Sequence, residues 1–451
     1  MSGMKALVGL IVAVGLVLVV AVEFERFLGA DYLARYRARA QPDLGYRPAI
    51  VMTDVALRSY RRDRLMASAH IERVEVARNR QTLALTGTEG RYFACADRSF
   101  GFAAARGEWS ANARVFVASG EARLFDKQID LRAPQLQIDQ DRAVVRVPGT
   151  VRGRFYRGDL VASGLTYDAR SGDYRFGPAS WSGVPDLGQD ATARTRWTIK
   201  TDGVVVRRGD TEVWPKAEAT DGEIIVTADR IERNVKTDVV IASGAVRYFG
   251  AEENLICDKV TIYRRERRAV LEGNVQLFLK PEGESKLEKV EIVPMRPIVP
   301  EEIARARPAA PSDEDGKRLD DELRQGENRR KYPTTILAQR IEYWYRRGER
   351  RAIVTGAPQA RQELPGGRWR MIWSHRAQLE RETERLRLES RDGQRDVRFQ
   401  TSLGDDLRAR WVELSTKEGD DEWSAEGVEG VVVSEEDEIP RERRQGPPPR
   451  R

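Results

Sequence analysis

The chain has 451 residues, a third of them charged, with 77 Lys and Arg against 71 Asp and Glu and a formal net charge of +6. That length predicts more than one domain. The near-balance of interspersed acids and bases is that of solvated strand faces, and it argues against a nucleic-acid partner, which would need basic residues gathered on one face. Two cysteines, Cys95 and Cys257, are too few for a disulfide framework and read as small buried apolar residues. The two histidines, His70 and His375, have no second ligand at metal spacing. No phosphate loop, nucleophile elbow or zinc helix occurs. The chain is therefore expected to have no catalytic residue, no metal site and no cofactor.

Residues 1–5 form a short tail before an uncharged apolar run, 6–22. As a helix this run would span roughly 26 Å, the short end of a membrane crossing. A cleavable signal would need small residues just beyond it, and Val22-Glu23-Phe24 supplies none. An uncleaved transmembrane anchor is the expectation. Charge leaves its orientation open: Lys5 precedes the run, while Arg26, Arg35, Arg37 and Arg39 follow it. Residues 23–49 read as an Arg-rich linker.

From 50 to 185 short β runs alternate with Gly, Asp and Asn, the pattern of a sandwich, barrel or roll. A β-hairpin is expected at 197–206, with Asp202-Gly203 as its tight turn. Residues 223–279 then carry one phrase twice. Asp229, Ile231, Gly244 and Val246 match Asp258, Val260, Gly273 and Val275, always 29 residues apart. Alternation with period two puts the apolar members on one face of each strand. Charged turns, 234–238 and 264–268, separate the strands. A unit this short cannot bury its apolar face alone, so units must stack. Residues 281–333 break the pattern with Pro294, Pro297, Pro300, Pro308, Pro311 and a dense charge run, and read as a mobile insert. Looser copies of the phrase resume over 334–433. The tail, 434–451, is charged and Pro-rich.

The phrase A-D-x-I, a charged turn, then small-G-x-V resembles the LptA/OstA repeat of lipopolysaccharide transport. Residues 6–22, 60–71 and 160–168 resemble LptC, the bitopic inner-membrane member of that pathway. The resemblance implies an all-β fold behind one N-terminal transmembrane helix, built of stacked antiparallel β-jellyroll domains. It also implies a single-pass inner-membrane protein with its bulk in the periplasm, carrying lipopolysaccharide toward the outer membrane. The implied partners are lipopolysaccharide, an inner-membrane ABC transporter and other β-jellyroll proteins docking edge to edge. The groove-lining, lipid-binding side chains would be Val226, Ala228, Ile231, Val240, Ala242, Val246 and Tyr248. Their second-copy counterparts would be Leu255, Cys257, Val260, Ala269, Leu271, Val275 and Leu277. A closed, dry core predicts the same alternation. An anchored β-solenoid scaffold that recruits envelope proteins without carrying lipid is the alternative function.

Overall fold

A computed structural model describes residues 48–61, 63–95, 98–184, 196–281, 283, 286–300, 331–417 and 422–432. Its strands form one continuous 28-stranded sheet, antiparallel at every pairing. A meander opens it: β1 (Ile50–Arg61), β2 (Arg64–Val76), β3 (Thr82–Cys95), β4 (Arg98–Ser110), β5 (Val115–Phe125), β6 (Ile129–Asp139), β7 (Val144–Phe155) and β8 (Gly158–Asp168). β8 pairs with both β9 (Tyr174–Phe176) and β10 (Ala179–Gly183), which are one strand broken at Gly177-Pro178. Next come β11 (Trp197–Thr201) and β12 (Val205–Arg208), and both pair with β13 (Thr211–Thr220).

The meander resumes through β14 (Ile225–Asn234), β15 (Val239–Phe249), β16 (Glu253–Tyr263), β17 (Arg268–Leu279) and β18 (Thr334–Trp344). Beyond β18 the sheet forks. One limb runs β19 (Arg351–Thr355), β22 (Arg376–Glu380), β23 (Arg385–Glu389), β26 (Trp411–Ser415), β27 (Trp423–Glu426). The other runs β20 (Gln359–Leu364), β21 (Arg368–Trp373), β24 (Val397–Thr401), β25 (Asp406–Ala409), β28 (Glu429–Val431). Pro358 helps to open the fork, because it has no N–H to continue the ladder between β19 and β20.

The repeated phrase encodes a corner in mid-strand. Gly244 and Ala245 both have positive φ, as do Gly273 and Asn274, a backbone that glycine adopts freely and other residues rarely. The register skips there, so that Gly244 and Ala245 lie opposite Asp258, and Gly273 and Asn274 opposite Gln339. The glycines are bare because a side chain of the preceding strand fills their space: Asp229 lies against Gly244, and Asp258 against Gly273. Asn274 Nδ2 also donates to Asp258 Oδ2 at 2.9 Å. The period of 29 is therefore two strands with their turns. In the turn after β14, Asn234 Oδ1 accepts the backbone N–H groups of Lys236 and Thr237.

Three expectations change. The hairpin at 197–206 does not form. β11 and β12 pair side by side with β13 rather than with each other, so Asp202-Gly203 is another corner crossed without reversal. The expected stacked β-jellyroll domains behind a transmembrane helix are replaced by one antiparallel ladder, which runs from β8 through β10 and β11 to β13. No helix among the described residues is long and apolar enough to cross a membrane. The anticipated anchor, 6–22, lies outside the described residues, so a single-pass inner-membrane placement has no support in the described structure.

Apolar side chains gather in three clusters along the sheet. The first spans β2 to β13 and is rich in large buried groups, including Tyr92, Leu124, Leu131, Leu160 and Phe176. The second, from β14 to β18, is built on Ala228, Ala242, Val246, Leu255, Cys257, Val275, Ala338 and Ile341. The third draws Ala377 and Leu388 from one limb and Val397 and Ala409 from the other.

Candidate binding sites

The second cluster collects most of the side chains anticipated as groove-lining. Ala228, Ala242, Val246, Leu255, Cys257 and Val275 are buried in it, and Ile231, Tyr248, Val260, Leu271 and Leu277 are half-buried against it. Val226, Val240 and Ala269 are half-buried on β14, β15 and β17 but do not belong to it. The corners keep both halves of a strand in phase. Inward positions lie four apart across the glycine corner (Ala242 and Val246; Leu271 and Val275) and three apart on the strand opposite (Ala228 and Ile231; Cys257 and Val260). This interior is chemically quiet. Burial pushes the Cys257 thiol up to about 12, and burial with the Glu253 carboxylate raises the Tyr248 phenol.

A better-formed site lies nearer the N-terminal end. Between β1 and β6 the first cluster leaves a cavity of about 370 Å³. Leu57, Ala69, Ile71, Leu85, Phe102 and Trp109 supply much of its apolar wall. Its polar side is fixed by a short chain of hydrogen bonds. Tyr92 Oη donates to the Gln140 carbonyl at 2.9 Å, and Gln140 Nε2 donates to Ser59 Oγ at 2.8 Å. Burial raises the Tyr92 phenol to about 12. Thr88 also lines the cavity; it is 3% exposed, and its hydroxyl has no hydrogen-bond partner among the described residues. A buried hydroxyl left unmade costs about 1–3 kcal/mol. Sequence reading missed this site, because its walls come from six successive strands and only their register brings Leu57, Ala69 and Phe102 into one row.

β1 closes this end of the sheet and pairs only with β2 among the described residues. Ile50, Val51, Met52 and Tyr60 on it are exposed. No group of three or more His, Cys, Asp or Glu is placed to hold a metal ion among the described residues.

No protein-family model matches the chain, and no curated protein matches it. The resemblance to LptC and to the LptA/OstA repeat is therefore corrected: the repeated phrase is a corner-forming device of a folded sheet, and it does not establish membership of either family. The lipopolysaccharide-export role falls with that membership and with the missing support for an anchor. The anchored-scaffold alternative rested on the same anchor and likewise has no support in the described structure.

Proposed function

We propose that this is a non-catalytic binding protein whose N-terminal region takes up one small, largely apolar molecule in the cavity between β1 and β6. The observation that carries the reading is Thr88, whose buried hydroxyl has no partner among the described residues, in a largely apolar wall with one polar side. A ligand with one polar atom would satisfy it and fill the void around it. The volume of about 370 Å³ falls at the lower end of cavities that hold drug-sized ligands. Apolar burial would supply the affinity at roughly 25 cal/mol per Å². The polar group would set the orientation.

The probe N-phenyl-1-naphthylamine tests this on the full chain. It is apolar, carries one N–H, and brightens when it leaves water. Saturable one-to-one binding at micromolar concentration is expected. Ala69→Phe, which pushes a ring into the cavity, should abolish it while leaving the β circular dichroism unchanged. Absence of saturable binding, or binding that Ala69→Phe leaves intact, would sink the reading.

A further inference from the structure

The segment after β17 doubles back and lies extended across the outer face of the sheet, opposite the apolar clusters. Lys289 Nζ meets Glu218 Oε2 on β13 at 2.5 Å. Gln276 on β17 grips the backbone with both ends of its amide: Nε2 donates to the Val293 carbonyl at 3.3 Å, and Oε1 accepts from the Met295 N–H at 2.9 Å. The Ile298 backbone is clamped likewise. Its N–H donates to Gln359 Oε1 on β20 at 2.9 Å, and its carbonyl accepts from Trp373 Nε1 on β21 at 3.0 Å. Gln276 and Gln359 are buried.

These contacts follow one cross-strand row, Glu218, Thr227, Arg247, Ile256, Gln276, Leu337, Gln359, Trp373. The segment crosses the strands along this row with a period of three. Ile292, Met295 and Ile298 are half-buried, while every residue between them is exposed. The sequence has the same period, Ile-Val-Pro, Met-Arg-Pro, Ile-Val-Pro over 292–300. A proline at every third place pre-sets the polyproline II form, which turns once in three residues. One such turn rises about 9.3 Å, and two strand spacings measure about 9.6 Å. The step from Gln276 on β17 to Gln359 on β20 is two strands, and the step from Met295 to Ile298 is one turn. From Lys289 to Met295 two turns rise about 19 Å, matching the four strand steps from β13 to β17.

We infer that this row is a docking track for extended proline-rich peptides with an apolar residue at every third position, and that residues 289–298 occupy it as the chain's own ligand. The polar contacts between Gln276, Gln359, Trp373 and the segment go to its main chain. The track therefore reads conformation and spacing more than side-chain identity, and a matching segment of another protein fits it equally well. The tethered segment has a high effective concentration and holds the track closed against weak competitors. The inference does not depend on the cavity.

The test uses a fluorescent peptide with the sequence of residues 287–300, the full chain, and the full chain carrying Met295→Pro with Ile298→Pro. These two prolines keep the extended form and delete the N–H groups that the glutamines accept. The loosened chain should bind the peptide at least tenfold more tightly than the unaltered chain, read by anisotropy. Adding Gln276→Leu and Gln359→Leu should remove that gain. Equal binding to loosened and unaltered chains overturns the proposal, as does a gain that survives loss of the glutamines. Loss of β circular dichroism on loosening overturns it too, since the segment would then be a structural brace.

Discussion

The N-terminal and middle regions share one backbone plan and differ in what fills it. Both are antiparallel meanders whose long strands turn a corner at a glycine with positive φ, Gly120 in one and Gly244 and Gly273 in the other. In the N-terminal region the inner face carries Leu, Ile, Phe and Tyr, and Tyr92, Leu124, Leu131 and Phe176 are at most 2% exposed. In the middle region the buried cluster is smaller, and Ile231, Tyr248, Leu271 and Leu277 stay half-buried around Ala228, Ala242 and Ala338. A corner fixes where two halves of a sheet turn toward each other; side-chain volume decides whether the space between them closes. Stability should therefore concentrate at one end of the continuous sheet.

The largest expected effect breaks this comparison directly. Leu131→Ala removes a side chain that is 2% exposed and should cost about 2–5 kcal/mol. Leu277→Ala removes the same atoms from a half-buried place and should cost about 1 kcal/mol or less. Urea unfolding followed by circular dichroism measures both. Equal losses would mean that the middle region packs as tightly as the first.

The middle region was the more legible in the sequence, and the reason is physical. Alternation along β15 and β17 with a fixed glycine shows directly which side chains share a face, so Ala242, Val246, Leu271 and Val275 could be placed without a structure. What alternation cannot show is depth of burial, which depends on the opposing half of the sheet. It also cannot show the register between neighbouring strands, which makes the cavity around Thr88. Asp202-Gly203 misled because that dipeptide serves a corner as readily as a reversal, and the choice is made by β13, which pairs with both flanks. The Ile-Val-Pro triplets were visible, but as breakers of strand periodicity. Their own period of three gains meaning only beside strands spaced to match it.

A second test sharpens the comparison through pH. Burial raises Tyr92 in the N-terminal region from its ordinary 10.0 to about 12. A phenol held neutral in the folded chain contributes stability that is complete below pH 10. That contribution is lost as the pH rises from about 10 toward 12, because the unfolded chain ionises first. The share of Tyr92 is roughly 2–3 kcal/mol. Melting temperature should fall through this window, and Tyr92→Phe should flatten the fall. At neutral pH the same substitution costs about 1 kcal/mol for the lost hydrogen bond to Gln140. An unchanged alkaline slope in the variant would show that other groups govern it.

The smallest effect concerns the corners themselves, where Gly120 and Gly273 differ by a single neighbour. Gly120 and Gly273 have nearly the same φ, 72° and 76°, so an added methyl strains both backbones by about 1–2 kcal/mol. At Gly120 the new Cβ would meet only the Ala105 methyl, at 3.3 Å, whereas at Gly273 it would run into the Asp258 side chain. Asp258 cannot simply swing aside, because its Oδ2 holds Asn274 at 2.9 Å. Moving it gives up that hydrogen bond, about 1 kcal/mol. Gly273→Ala should therefore lose about 1 kcal/mol more than Gly120→Ala, as measured by urea unfolding. Equal losses would mean that the carboxylate yields freely and that the backbone alone requires the glycine. The larger loss at Gly273 would explain why the sequence repeats aspartate and glycine together: the carboxylate above the glycine, tied to Asn274, holds the corner shape.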